Sequence, residues 1–195
     1  EGWRMGPIAR KFERVLGVDS ARIASLCRDP RFIRHLGINA PNLEGYLLPE
    51  TYEFYWQTDE EDLVRAMVES FKAFYGDSLV RRQQELRMSL TEVLSLAAIV
   101  EGESSIDVER PIIAGVYWNR LCKRMKLEAD PTVQYALGAD TGRWETKLRF
   151  KHLEVVSKYN MYLHYGLPPG PICSPGLDAV RAVRRPAQGD AIYFV

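Results

Sequence analysis

Residues 89–103 read SLTEVLSLAAIVEGE, an apolar run that opens on a polar cap and ends in acid. Ser89 and Glu92 have the spacing of a capping box, in which each side chain bonds the other residue's backbone N–H. Leu90, Val93, Leu94, Leu96, Ala97, Ala98, Ile99 and Val100 follow. A helix that is apolar nearly all round is usually buried, so this stretch is expected to be a core helix. Glu101 falls three, four and seven residues after Ala98, Ala97 and Leu94 and shares their face. A carboxyl there is partly desolvated and feels the negative end of the helix dipole. Both effects favour the protonated form, which suits a general acid. The plainer alternative is that Glu101 is the first polar residue past a core helix.

The remaining sequence carries further helical patterns. Two are expected within 7–36, with apolar stripes Ile8, Phe12, Val15, Leu16 and Ile23, Leu26, Cys27. Gly17 would end the first, and Asp19 or Ser20 would cap the second. The acidic run 59–62 suits a helix N-terminus. The helix after it carries Leu63, Val64, Met67, Val68, Phe71 and Phe74 and stops at Gly76. Another spans about 110–123, with Pro111 in its first turn. A short one is capped by Asp130 and closed by Gly138. The last starts at Ser174 or Pro175 and stops before Pro186. Residues 43–56, LEGYLLPETYEFYW, read as strand and loop, residues 140–160 as polar and irregular, and residues 191–195 as a strand. Residues 165–176, YGLPPGPICSPG, hold four prolines and three glycines in twelve positions, a stiff loop. The expected class is α+β.

Composition narrows the function. The chain has 195 residues, 46% hydrophobic and 27% charged, with a formal net charge of zero. Zero net charge argues against non-specific nucleic-acid binding, which needs a basic excess. No run is apolar enough for a membrane span. Cys27, Cys122 and Cys173 are too widely spaced for a zinc pattern. No phosphate loop, dinucleotide fingerprint or nucleophile elbow is present.

Several polar groups are candidates for chemistry. Glu101 and Glu103 point roughly 200° apart on a helix and face one cleft only if the helix ends at Gly102. Otherwise Glu103 caps or pairs locally, with Arg110 the nearest cation. Asn119 and Arg120 sit near a helix end, where a cation also simply suits the dipole. Tyr159, Asn160 and Tyr162 fit either a sugar ring or a packed strand. His152 and His164 stand alone.

The order and wording of the segments carry more. LEGYLLPETYEF at 43–54, LAAIVEGES at 96–104 and ERPIIAGVYWNRL at 109–121 occur in turn. MKLEADPTVQYALG at 125–138, KYNMYLHYGLPPGPICSPG at 158–176 and AIYFV at 191–195 follow. Together they resemble the endolytic murein transglycosylases of the YceG-like family, collinearly and over nearly the whole chain. EGWRMGPIA at the start resembles the end of that family's LysM-like subdomain. The resemblance implies a partial LysM-like subdomain at 1–40 and a YceG-like catalytic domain at 41–195, truncated at its C-terminus.

It further implies a lytic transglycosylase acting on peptidoglycan glycan strands, with Glu101 as the catalytic acid and no metal or cofactor. Glu103, Asn119, Arg120, Asp130, Tyr159, Asn160, Tyr162, Pro168 and Gly170 would bind substrate or support the acid. An upstream single-pass anchor would hold the full-length protein at the extracytoplasmic face of the bacterial inner membrane, beside cell-wall synthases. A hydrolase on the same strands would need a second carboxylate, Glu103 or Asp130. A non-catalytic glycan-binding module would need none. Gly102, Glu128, Ala129, Met161 and Ser174 depart from the family wording, which has Lys, Gln, Ser, Thr and Asn there.

Overall fold

The computed structural model describes residues 1–141 and 147–194, apart from the side chains of 77, 78 and 139–141. Several helices begin where short polar side chains cap them. α1, Met5–Leu16, stops at Gly17, whose φ of 70° is left-handed. α2, Ser20–Leu26, and α3, Pro30–His35, start where Asp19 and Asp29 accept backbone N–H groups. The region 7–36 therefore splits into more helices than its apolar stripes suggest. Asp29-Pro30 supplies an N-cap and a first-turn proline inside what reads as one segment. α4, Glu60–Phe74, is capped by Asp59. α5, Asp77–Leu86, has no counterpart in the sequence reading; its sequence is mostly polar and Gly76 precedes it without a side-chain cap.

α6, Leu90–Glu103, forms as expected, with both halves of the Ser89–Glu92 capping box in place. It packs on α7 (Arg110–Cys122), α8 (Asp130–Thr141) and α9 (Leu177–Arg184). Every residue from Val93 to Val100 is buried. Burying each large side chain there contributes about 1.5–3 kcal/mol. The enclosure on several sides explains why α6 has no polar stripe. α8 continues through Gly138, so that glycine does not close it. A 3-10 turn, Phe150–Glu154, precedes the Pro-Gly loop. One hydrophobic core runs from Met5 to Val183. Cys27 and Cys173 are buried and Cys122 is exposed, all as free thiols.

The α+β expectation does not hold for the described residues. Their one β feature is an isolated antiparallel bridge between Trp3 and Ser174. In 43–56 the backbone bonds close locally or onto a helix end: Leu43 N–H donates to Cys27 O, Tyr46 N–H to Leu43 O and Glu50 N–H to Leu48 O. Residues 191–194 also form no strand, and Val195 lies outside the described residues. Side chains take the place of a neighbouring strand there. Asn119 Nδ2 donates to the carbonyls of Gly189 and Ala191, and Arg120 Nε to that of Ile192. Part of the region 140–160 lies outside the described residues.

The segment 43–54 is pinned to the Pro-Gly loop by a close approach. Gly45 has φ 84°, and a Cβ there would lie 2.5 Å from both Cβ and Cγ of Pro171. A proline ring cannot swing aside. Gly45→Ala therefore combines left-handed strain with overpacking and should cost about 2–4 kcal/mol. The urea midpoint measures this, with an unchanged slope indicating that the native fold is retained.

Candidate active site

Glu101 lies in the last turn of α6, with 7% of its side chain exposed. Its two oxygens have different donors. Arg110 Nη2 donates to Oε1 at 3.0 Å, and the Gly176 N–H donates to Oε2 at 3.0 Å. Gly2 passes over the side chain: a Cβ on Gly2 would lie 3.5 Å from Glu101 Cγ. Burial pushes the Glu101 carboxyl above its ordinary value, while the Gly176 N–H and the Arg110 charge pull it down. The raised direction agrees with the sequence expectation, and desolvation is the leading cause.

Arg110 is the residue that sequence spacing did not assign to this acid. It is the first residue of α7 and only 3% exposed. Besides Glu101 it reaches Asp107 Oδ1 at 2.8 Å and the Ser104 carbonyl at 3.4 Å. Its guanidinium cannot shed its proton, so burial demands this ring of acceptors. The local alternative that paired Glu103 with Arg110 is thus replaced by a Glu101–Arg110 pair.

Glu103 faces another way, because α6 continues unbroken through Gly102. A Cβ on Gly102 would lie 2.7 Å from Pro131 Cβ, so glycine is what lets α8 seat against this turn. Tyr117 Oη donates to Glu103 Oε1 at 2.5 Å. Burial raises the Glu103 carboxyl to about 7, with the nearby Asp130 charge adding to the rise. Glu103, Arg120, Glu128, Asp130 and Tyr162 share a cavity of about 280 Å³. Tyr162 Oη donates to Asp130 Oδ1 at 2.7 Å, and Arg120 pairs with Glu128 at 3.1 Å. The negative charge that distinguishes Glu128 from the family's Gln is therefore matched by a buried cation.

Other candidates fall into the scaffold. Asn119 clamps the 189–191 carbonyls as described. Asn160 is fully buried; its Nδ2 donates to the carbonyls of Leu153 and Val155, and its Oδ1 accepts the Tyr162 N–H. Tyr159 packs on Tyr135, over which Arg4 lies at 4.4 Å. Pro168 and Gly170 are buried, and a Cβ on Gly170 would stand 3.4 Å from Tyr159 Oη. A separate apolar groove of about 720 Å³, lined by Trp3, Phe12, Tyr52 and Phe54 among others, reaches Glu1.

The buried Glu103 has a consequence for stability. Its folded pKa of about 7 exceeds the ordinary 4.5. The favourable contribution is complete below the lower value and is lost as pH rises through the higher one. Glu103→Gln keeps an acceptor for Tyr117 and removes the titration. Chemical denaturation at pH 4.5 and pH 8 should show the variant gaining roughly 2 kcal/mol on the parent between the two. An unchanged difference would mean that Glu103 has the same pKa in the folded and unfolded chain.

Known proteins resemble this arrangement throughout its length. The model of the YceG-like family matches residues 1–195. The endolytic murein transglycosylase of Bacillus subtilis (strain 168) is 36% identical over 154 residues, 78% of this chain and 41% of that protein. The endolytic murein transglycosylase of Streptococcus pneumoniae (strain D39) is 34% identical over 160 residues, 78% of this chain and 28% of its own length. The chain thus spans less than half of either relative. The crystal structure of a YceG-like protein from Listeria monocytogenes superposes with a TM-score of 0.89 at 33% identity, covering 100% of this chain and 68% of that one. With the family model matched from its first residue to its last, the chain belongs to the YceG-like family.

Proposed function

We propose that this chain is the core of an endolytic peptidoglycan lytic transglycosylase, with Glu101 as its general acid and base. The observation that carries this reading is the Glu101 carboxyl, desolvated at the end of α6 yet touched by both a guanidinium and a backbone N–H. Such a group resists ionisation without being barred from it. Protonated, it gives its proton to the oxygen linking N-acetylmuramic acid to N-acetylglucosamine. The C1–O bond then breaks through an oxocarbenium-like state. The resulting carboxylate takes the proton of the muramyl 6-hydroxyl as that oxygen closes on C1. One carboxyl serves both steps because the nucleophile belongs to the substrate.

The names of the B. subtilis and S. pneumoniae relatives support the substrate class. The aromatic groove that reaches Glu1 offers ring faces of the kind sugars stack on. The second carboxylates that the hydrolase reading named, Glu103 and Asp130, line the cavity on another side of α6. In the full-length protein an upstream anchor would place the enzyme at the extracytoplasmic face of the inner membrane, within reach of cell-wall synthases. Residues 1–40 are read as the end of a LysM-like subdomain, on the wording of EGWRMGPIA.

Two measurements test the reading. Glu101→Gln keeps shape and one of the two acceptor oxygens but cannot transfer a proton to the leaving oxygen, so turnover should fall about 10²–10⁴-fold. Near-normal turnover by a folded variant would remove Glu101 from the mechanism. Digested glycan strands should carry 1,6-anhydro ends, one water lighter than hydrolysed ends and inert to borohydride. Fragments of mixed length should appear before disaccharides. Ends that take up borohydride would make the enzyme a muramidase.

A further inference from the structure

Glu101 is not the only carboxylate on Arg110 Nη2. Glu1 Oε2 lies 3.7 Å from the same nitrogen that Glu101 Oε1 approaches to 3.0 Å. Glu1 is brought there by backbone bonding. Gly2 N–H donates to Ser174 O at 3.0 Å, and Ser174 N–H donates to Trp3 O at 2.8 Å. This short antiparallel clip lays residues 1–3 along the end of the Pro-Gly loop, two residues before the N–H that holds Glu101 Oε2. Gly176 is shaped to accept the Glu1 side chain: a Cβ on Gly176 would lie 2.4 Å from the Glu1 carboxyl carbon.

We propose that Glu1 is a positioning residue of this site: its carboxylate shares the Arg110 guanidinium with Glu101, so Arg110 cannot serve Glu101 alone as a fixed ion pair. The inference rests on the assignment of Glu101 as the acid. Its physical content is competition for one charge. Arg110 has three carboxylates around it, Glu101, Asp107 and Glu1. Each added anion weakens the pull of the guanidinium on Glu101 and repels the ionised Glu101 directly. The groups that face Glu101 are Arg110 from α7, the Gly176 N–H at the start of α9, Cys173 from the loop, and Glu1.

The test compares the pH dependence of kcat/KM on glycan strands for the parent chain, Glu1→Gln, Glu1→Asp and Glu101→Gln. Activity that needs a protonated Glu101 falls on the alkaline side as that group ionises. Without the Glu1 charge, Glu101 ionises more readily. The alkaline limb of Glu1→Gln should therefore move to lower pH by roughly half a unit to one unit. Activity on the acid side of the limb should remain near that of the parent. Glu1→Asp keeps the charge and should restore most of the shift. A purely structural role would lower the melting temperature and scale the whole profile without moving the limb. An unmoved limb in Glu1→Gln, with Glu101→Gln inactive, overturns the role of Glu1 and leaves the function standing. An active Glu101→Gln removes the function and this inference with it.

Discussion

A guanidinium buried to 3% exposure is the constraint around which this site is built. Arg110 cannot be neutralised by losing a proton, and taking its charge out of water costs several kcal/mol unless acceptors surround it. The surrounding chain supplies them from several elements: Glu101 from α6, Ser104 O and Asp107 from the connection, and Glu1 from the N-terminal segment. The end of α6, the start of α7 and the first residues of the chain are thereby tied to one atom group. Gly176 closes the arrangement by donating to the other oxygen of Glu101. Shifting any of these segments alone would remove a partner from this buried cluster of charges, which favours one register for all of them.

The features legible in the sequence were those with local causes. The capping box at Ser89 marks α6, Gly17 ends α1, and Asp19 caps α2 because each acts within a few residues of itself. The position of Glu101 on an apolar helix predicted its desolvation for the same reason. Features that depend on distant partners were not legible. Nothing in the spacing of Arg110 tells which of Glu101 and Glu103 it meets, since that depends on how α7 folds back on α6. Residues 43–56 and 191–194 have strand-like composition, but β propensity describes a fit to a sheet and no neighbouring strand is supplied to the described residues. α5 lacks both a side-chain cap and a clear apolar stripe, so its helix was invisible to pattern.

Placing two acids two residues apart on a continuous helix separates their environments. Glu101 meets a cation and a backbone donor. Glu103 meets a phenol and the charge of Asp130. Both are desolvated, yet only Glu101 has a full positive charge to support its ionised form. Asn119 and Arg120, read in the sequence as binding substrate or supporting the acid, hold backbone beside the Glu103 cavity: Arg120 bonds the carbonyls of Lys126, Leu127 and Ile192 and is capped by the Tyr193 ring at 4.7 Å. A side chain making that many backbone bonds is a structural strut, and its loss would open the segment it holds.

In the proposed mechanism Glu101 works in both directions, and the balance of its surroundings bears on that. Desolvation alone would keep it protonated and leave it a poor base after the first step. Arg110 and the Gly176 N–H alone would keep it ionised and leave it a poor acid before that step. A transfer that uses one carboxyl first as donor and then as acceptor is served best when neither form is strongly preferred near the working pH. Here the opposing influences come from different parts of the chain. Burial comes from the packing of α6, the backbone donor from the Pro-Gly loop, and the cation from α7. The cation's share is in turn limited by the other carboxylates that it must satisfy. The same crowding of anions that makes a buried Arg110 tolerable therefore keeps Glu101 from becoming a permanent half of an ion pair.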